Sequence, residues 1–387
     1  MPTVSVICSD ERINSDLRGI CANLAADFQP HFLRTRTRAI QFLNYEMPEI
    51  NVVYLSDPAL NAKVIIEEIR NDPWLHYGGT IIIHKEQNEQ TVYSKVKGVN
   101  LLAVIHADKI ASDLQRVFEV LKQNNAMLLQ WNLNSLIRSN LSGRFHITSD
   151  AFDLITHVNL LSNFLYNSNL ITRVDREKVY VAFMEVLMYA SNIKTQYSMN
   201  NEGKRNDNLT IELTYRITQS ESEFTIKNTV PDFTWETERV RSSLSGMPLL
   251  NYSTQGDLLT INLQHLQDKA NRIPQMFRDQ EETHFTDQQI VFTQGEESDY
   301  LYYIVSGRYE IIANSRKVSE LSPSDIFLGE MSFLLKNKRS ATVRSVGEGK
   351  LIRISKEEFI QALKRYPHYG FFLSRLLAQR LVEQHGK

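Results

Sequence analysis

Four short runs of β-branched residues, VSVIC, NVVYL, TIIIH and LLAVI, recur through the first 125 positions and alternate with amphipathic stretches such as 14–28 and 111–122. Short apolar runs of this kind belong to strands buried on both faces, and their alternation with helices predicts a doubly wound parallel sheet over 1–125. Residues 126–143, beginning AMLLQWNLNSLIRSNLS, carry apolar positions at helical spacing and predict a linker helix. The segment 144–267 opens with two helical runs (DAFDLITHVNLLSNFLY and DREKVYVAFMEVLMYASNI) and continues as strands (LTIELTYRI, SEFTIKNT, DLLTINLQHL). Helices grouped ahead of strands predict a two-layer α/β sandwich, with the polar stretch SMNNEGKRNDN at 198–208 as an exposed loop.

The texture changes over 268–387. Short strands separated by turn residues (QQIVFTQGEES, YLYYIVSGRYEIIANSR, KVSELSPSD, RSATVRSV, GKLIRIS) predict a β-roll. The closing run SKEEFIQALKRYPHYGFFLSRLLAQRLVEQ has helical period, and Ser355 stands at N-cap spacing ahead of Glu358. Such flanking helices either cover the roll or pair with another copy.

Composition narrows the class. A chain of 387 residues exceeds one core of typical size, so two or three domains are expected. With 42% apolar and 23% charged residues, disorder on a large scale is not expected. Cys8 and Cys21 have no neighbouring ligand spacing, which argues against a disulfide framework, a zinc site or an iron–sulfur cluster. A net charge of -2 gives no general attraction to nucleic acid or anionic lipid. No apolar run approaches the roughly 18–20 residues that span a bilayer, and MPTVSVICSDER lacks the basic start and long apolar core of a signal peptide. A cytoplasmic protein without a membrane segment is expected.

One stretch carries chemistry. Phe327–Val343 reads FLGEMSFLLKNKRSATV. A short helix started at Gly329 would turn free N–H groups outward, where they suit an anion. Arg339 adds a planar, permanently charged fork for two phosphate oxygens, and Ser340 a hydroxyl beside it. Glu330 is poor company for a phosphate but a good acceptor for a sugar hydroxyl, so a ribose joined to that phosphate satisfies both.

These residues resemble the phosphate-binding cassette of the cyclic nucleotide-binding domain, the module of catabolite activator proteins and of the regulatory subunits of cyclic-AMP-dependent protein kinase. The resemblance covers about 282–384, and upstream FTQGEESDYLYYIVSGRYEI follows the family's strand and turn pattern with Gly295 and Gly307. It implies that Glu330 accepts the ribose 2′-OH and that Arg339, in the run continued by Ser340 and Ala341, pairs with the cyclic phosphate. The amides of Met331 and Ser332 complete the anion cradle, and Gly329 allows close backbone approach. The implied ligand is cyclic AMP, favoured over cyclic GMP, with no metal or other cofactor. The family often has Phe-Gly-Glu, whereas this chain inserts Leu328 between Phe327 and Gly329, which is expected to shift a strand end. Only about thirty residues follow Ser355, too few for a winged helix, so no DNA-binding module is expected.

The first segment resembles the receiver domain of response regulators, with its chemistry displaced. Cys8-Ser9-Asp10-Glu11 follows the first strand, Ser56 stands at the phosphoacceptor position with Asp57 one residue beyond, and His84 and His106 end the fourth and fifth strands. A pseudo-receiver is expected. The middle segment resembles the ATP-binding fold of histidine kinases and anti-sigma factors. Glu185 is retained there, but Tyr189 stands where the family has Asn, and Asn228, Val230 and Asp232 replace its Asp-x-Gly-x-Gly.

The chain therefore reads as a non-enzymatic signalling protein that binds a cyclic nucleotide in its C-terminal roll and passes the event to its other domains, a protein partner or a second copy. Two alternatives stand beside this: an ATP-dependent histidine-kinase-like or anti-sigma-like regulator, and a ligand-free interaction scaffold built on YPHYGFFLSRLL.

Overall fold

The computed structural model describes all residues except 25, 73, 129–140, 169, 201–209, 219, 231, 248–249, 266–269, 271–272 and 386–387. The chain divides into two compact units, one holding two sheets up to His265 and the other holding the roll that follows.

The first sheet comprises β1 (Thr3–Ile7), β2 (Gln29–Leu33), β3 (Ile50–Tyr54), β4 (Gly79–His84) and β5 (Asn100–His106), in the order β2-β1-β3-β4-β5 with every pairing parallel. The parallel sheet expected from the β-branched runs is present, and β3 and β4 are buried along their whole length. β2, with the sequence QPHFL, has no β-branched residue and sits at the sheet edge, where Pro30 costs no central ladder bond. Helices α1 (Glu11–Leu24), α2 (Arg36–Glu46), α3 (Ala62–Asn71), α4 (Glu89–Lys95) and α5 (Gln115–Gln123) make the crossovers and the closing turn.

The second sheet is antiparallel and ordered β6-β7-β8-β10-β9: β6 (Leu141–Ile147), β7 (Ile211–Ile217), β8 (Glu221–Asn228), β9 (Leu250–Gln255) and β10 (Leu258–Gln264). Leu141–Gly143, expected as the end of a linker helix, instead open β6. The governing period there is two, and it leaves Phe145 and Ile147 buried while Ser142, Arg144 and His146 stay exposed. Most of that expected helix lies outside the described residues. Two helices follow, α6 (Ala151–Asn167) and α7 (Arg173–Asn200), and α8 (Thr237–Leu244) lies between β8 and β9. The exposed loop expected from Ser198 begins later, because α7 runs to Asn200, and 201–209 are outside the described residues.

Helix α6 is buried from Leu160 through Asn167 without a solvent-exposed face, as expected for a helix enclosed on all sides. It closes the open edge of β5 with three asparagines spaced four apart. Asn159 Nδ2 donates to Leu102 O at 3.0 Å, Asn163 Nδ2 to Leu101 O at 2.8 Å, and Asn167 Nδ2 to Tyr77 O at 2.9 Å. Asn100 Nδ2 donates back to Asn167 Oδ1 at 2.6 Å, and Arg176 of α7 donates to Asn100 Oδ1. Consecutive carbonyls of a strand ordinarily point opposite ways. Here the β4–β5 register slips between Thr80↔Leu101 and Ile81↔Ala103, so Leu102 is a bulge.

The second unit is a six-stranded roll of β11 (Glu282–Phe285), β12 (Ile290–Phe292), β13 (Tyr300–Ala313), β14 (Arg316–Leu321), β15 (Phe327–Leu328) and β16 (Thr342–Ser355). The TVRSV end of RSATVRSV and the whole of GKLIRIS belong to one strand, β16, which pairs with β13 along most of its length. Phe285, Phe292, Tyr302, Ile304, Tyr309, Leu328, Val343 and Leu351 form its core. Helix α9 (Glu330–Leu335) interrupts the strands. Helices α10 (Lys356–Arg365) and α11 (Pro367–His385) close the chain, α10 starting on a capping box in which Ser355 and Glu358 satisfy each other's backbone N–H.

Truncating Asn163 to Ala removes the partner of the Leu101 carbonyl in a partly buried site and is expected to cost about 1–3 kcal/mol. Chemical denaturation of the full chain checks this, and a wild-type midpoint contradicts it. His157 is buried against Phe145 and donates from Nδ1 to Asp153 O at 2.8 Å, and desolvation lowers its pKa. A histidine kept neutral by the fold contributes stability above its unfolded pKa of about 6.5, and that contribution is lost as pH falls toward the lower folded value. Denaturation midpoints measured from pH 7 downward should therefore fall more steeply for the wild type than for His157→Phe; parallel curves contradict the assignment.

Candidate functional site

Strand β15 ends at Leu328, and the next residue turns the chain with φ of 78°, in the left-handed region glycine enters without steric penalty. Space imposes the same choice. A Cβ on Gly329 would lie 2.4 Å from Nη1 of Arg339 and 3.3 Å from the Phe292 ring. Helix α9 starts immediately afterwards, so the N–H groups of Met331 and Ser332 fall in a first turn that has no acceptor further back in the helix. The additional apolar residue, Leu328, pairs with Tyr302 while Phe327 pairs with Tyr303, and both are buried. The extra residue thus enters the core, and Gly329 keeps its place ahead of the helix.

Arg339 returns to the same point from the far end of α9. Its backbone N–H donates to Glu296 O at 2.8 Å and its carbonyl accepts from Gly295 N at 2.9 Å, clipping it to the turn after β12. The side chain is only 4% exposed. Nη1 donates to Gly329 O at 2.9 Å and to Ser332 Oγ at 3.1 Å, and Nη2 donates to Tyr300 O. The guanidinium lies 4.1 Å from the Phe292 ring centroid and 5.8 Å from that of Tyr302, the two rings being stacked on each other. Nε is buried and has no hydrogen-bond partner. Desolvation pulls the Arg339 pKa down, while Tyr302, Glu296, Asp299 and Glu330 act to raise it. A guanidinium stays charged under such pressure, so the site holds a fixed buried cation.

Gly329, Glu330, Ser332 and Arg339 are brought together; all but the half-buried Gly329 are buried, as is Ala341. Met331 and Ser340 are exposed. Ser298 Oγ donates to Ser332 Oγ at 3.1 Å and extends the network toward the turn. The groups that sequence reasoning left unassigned are Phe292, Ser298, Tyr300 and Tyr302. Two aromatic positions near a lone arginine are a cation–π signal, but only the closure of the roll brings Phe292 of β12 onto Tyr302 of β13, since both strands pair with β16 and not with each other; the Tyr300 contribution is a carbonyl and has no side-chain signature.

The positions singled out in the first unit are engaged differently. Asp57 is buried and accepts from Ser9 N at 2.5 Å, Ser9 Oγ at 2.7 Å, Ala59 N at 3.0 Å and Leu60 N at 3.3 Å. Ser56 Oγ accepts from Lys85 N, Asp10 accepts from Arg12 N and Ile13 N, and Glu11 pairs with Arg34. Burial pushes the Cys8 thiol up to about 12. His84 is buried, and its ring lies edge-on to His106 across the paired ends of β4 and β5. In the second sheet's layer, Tyr189 packs on Trp235 and Phe233, with the Arg239 guanidinium 4.4 Å from its ring. Asn228 donates to Ala190 O and accepts from Val230 N, while Glu185 stays exposed on α7. Among the described residues no group of three or more His, Cys, Asp or Glu side chains could hold a metal ion, and no helix is long and apolar enough to cross a membrane.

The family model of the cyclic nucleotide-binding domain matches residues 282–366, the segment that contains this buried arginine. The chain is 32% identical over 98 residues to the cyclic AMP receptor protein of Thermus thermophilus, covering 24% of this chain and 45% of that one. It is 34% identical over 87 residues to the cAMP-dependent protein kinase regulatory subunit of Dictyostelium discoideum, covering 20% and 26%. It thus spans less than half the length of either relative. Among solved structures, the Thermus thermophilus catabolite activator protein aligns over 28% of this chain and 54% of its own, with 26% identity and a TM-score of 0.27. The C-terminal region of this chain carries a cyclic nucleotide-binding domain.

Proposed function

We propose that the chain is a cytoplasmic signalling protein, without catalysis of its own, that binds cyclic AMP in preference to cyclic GMP and transmits the event to its other domains, a protein partner or a second copy. One observation carries the reading: Arg339 is a buried cation whose Nη1 and part of whose Nη2 are used internally, while Nε and a second Nη2 hydrogen are unspent. Nε and Nη2 share one edge of the guanidinium, and such an edge suits two oxygens of one phosphate. Glu330, in the first turn of α9, is the acceptor for the ribose 2′-OH, and the Met331 and Ser332 amides complete the cradle. The preference for the adenine base is supported by the two relatives above, a cyclic AMP receptor protein and a cAMP-dependent protein kinase regulatory subunit. In this reading 1–125 is a pseudo-receiver and 144–267 a degenerate ATPase-like sandwich. The spent carboxylate of Asp57 and the aromatic packing around Tyr189 support both assignments.

Calorimetry of the full chain should detect binding of cyclic AMP more tightly than of cyclic GMP, and Arg339→Ala should weaken it by about ten- to a hundredfold, the worth of a charged hydrogen bond. No binding at millimolar ligand, or an unchanged affinity in the variant, sinks the reading. The ribose assignment has its own check: the wild type should bind 2′-deoxy cyclic AMP more weakly than cyclic AMP, whereas Glu330→Ala should hardly distinguish them. Gly329→Val must hold a branched residue at positive φ, at about 1–2 kcal/mol, and must also displace Nη1. It should lower both the roll's thermal midpoint and its ligand affinity; loss of neither contradicts the contact.

A further inference from the structure

The long helix α7 shows an unusual outer face. Its inner face is core, with Phe183 edge-on to Phe224 of β8 and Val179, Val186 and Leu187 buried. On the outer face three apolar residues stand in the open: Val174 at 63%, Val181 at 52% and Met188 at 50% exposed. They are seven residues apart. An interval of seven returns to the same side of an α-helix within about 20°, so the three form a single stripe along four turns. Isolated exposed apolar residues are ordinary, but a heptad-spaced row on one helix supplies one of the two apolar positions per heptad that the seam of a helix pair uses.

We propose that this stripe is an interface at which α7 packs antiparallel on α7 of a second copy of the chain, about a two-fold axis through Val181. The occupant is set by self-complementarity. About such an axis Val181 meets itself, and Val174 of each copy meets Met188 of the other. Lys178 lies about 4.5 Å before Val181 along the helix axis and Glu185 about 6 Å after it, both on the same flank of the stripe. A perpendicular two-fold keeps that flank on the same side and reverses the axis. Lys178 of one copy then faces Glu185 of the second copy within about 1.5 Å of axial level, and does so twice. Both side chains are exposed, so both are available for it. The antiparallel arrangement also sets the two helix dipoles head to tail. A single helix pair falls below the roughly 1,200 Å² of a standard stable interface, so the contact is reversible and is best read by trapping.

Cysteine trapping is clean in this chain because its two native cysteines, Cys8 and Cys21, are both buried. In the full chain, Val181→Cys should be joined by a short bis-maleimide to a second Val181→Cys chain, well above the wild-type background. Val174→Cys alone and Met188→Cys alone should not, since the like positions lie about 21 Å apart along the axis, whereas a mixture of the two variants should. Lys178→Glu in the Val181→Cys background should reduce trapping about tenfold, and adding Glu185→Lys should restore it. Background-level trapping of Val181→Cys overturns the interface. Trapping of Val174→Cys with itself, or failure of the double charge reversal to restore, overturns the antiparallel pairing. Trapping that ignores Lys178→Glu overturns the assigned ion pair.

Discussion

A guanidinium taken out of water must be met by acceptors, by aromatic faces or by an anion, and much of the second unit is arranged around that requirement at Arg339. Its Nη1 fixes the carbonyl of Gly329, and so fixes the point where β15 gives way to α9. Nη2 reaches the first residue of β13. The plane rests on Phe292, a core residue that ends β12. One side chain thereby ties together three strands and a helix, and each tie constrains sequence elsewhere. Position 329 has no room for a Cβ, and position 292 must present a flat face. A charge held this way is costly to strand, since removing any one acceptor leaves a buried donor unpaired.

The first unit is organised by an edge strand that needs covering. β5 ends the parallel sheet, and an open edge invites pairing with another chain. Here α6 supplies amide side chains in place of a sixth strand, and the bulge at Leu102 turns consecutive carbonyls to meet them. The parallel sheet and the antiparallel sheet consequently share one helix, which explains why α6 is buried on all sides. Around this frame, positions where chemistry was sought have been put to packing. Asp57 joins the loop after β1 to the turn after β3, and Tyr189 fills its surroundings with Trp235 and Phe233.

What could be read from the residues alone followed the strength of the local pattern. The β-branched runs gave four of the five parallel strands, and the Ser355–Glu358 box marked the start of α10 because capping needs only residues three apart. The cassette was legible for the same reason: its Gly, Glu and Arg lie within eleven positions. β2 and β6 were not, since QPHFL has no β-branched residue and LSGRFHI alternates polar with apolar on a background of helical spacing. The asparagine ladder was hidden by a different cause. Its spacing of four reads as an ordinary helix face, and its partners are backbone carbonyls 57, 62 and 90 residues away, which carry no residue type. Phe292 was hidden likewise, as its role depends on how the roll closes, which no local pattern encodes.

The donor inventory of Arg339 also bears on how a ligand could act on the rest of the chain. A ligand shifts an equilibrium only by its differential affinity for two arrangements. An anion that takes Nε and the remaining Nη2 hydrogen leaves the contacts to Gly329, Ser332 and Tyr300 intact, adds to the arrangement described here and stiffens it. An anion that takes Nη1 must instead displace the Gly329 carbonyl, freeing the start of α9 and with it the outward Met331, Leu334 and Leu335, which are exposed apolar residues. The two modes differ in what moves, although they share every residue. Because Gly329 leaves no space for adjustment at its Cα, the helix start cannot yield gradually, and the choice between stiffening and release falls on that single carbonyl.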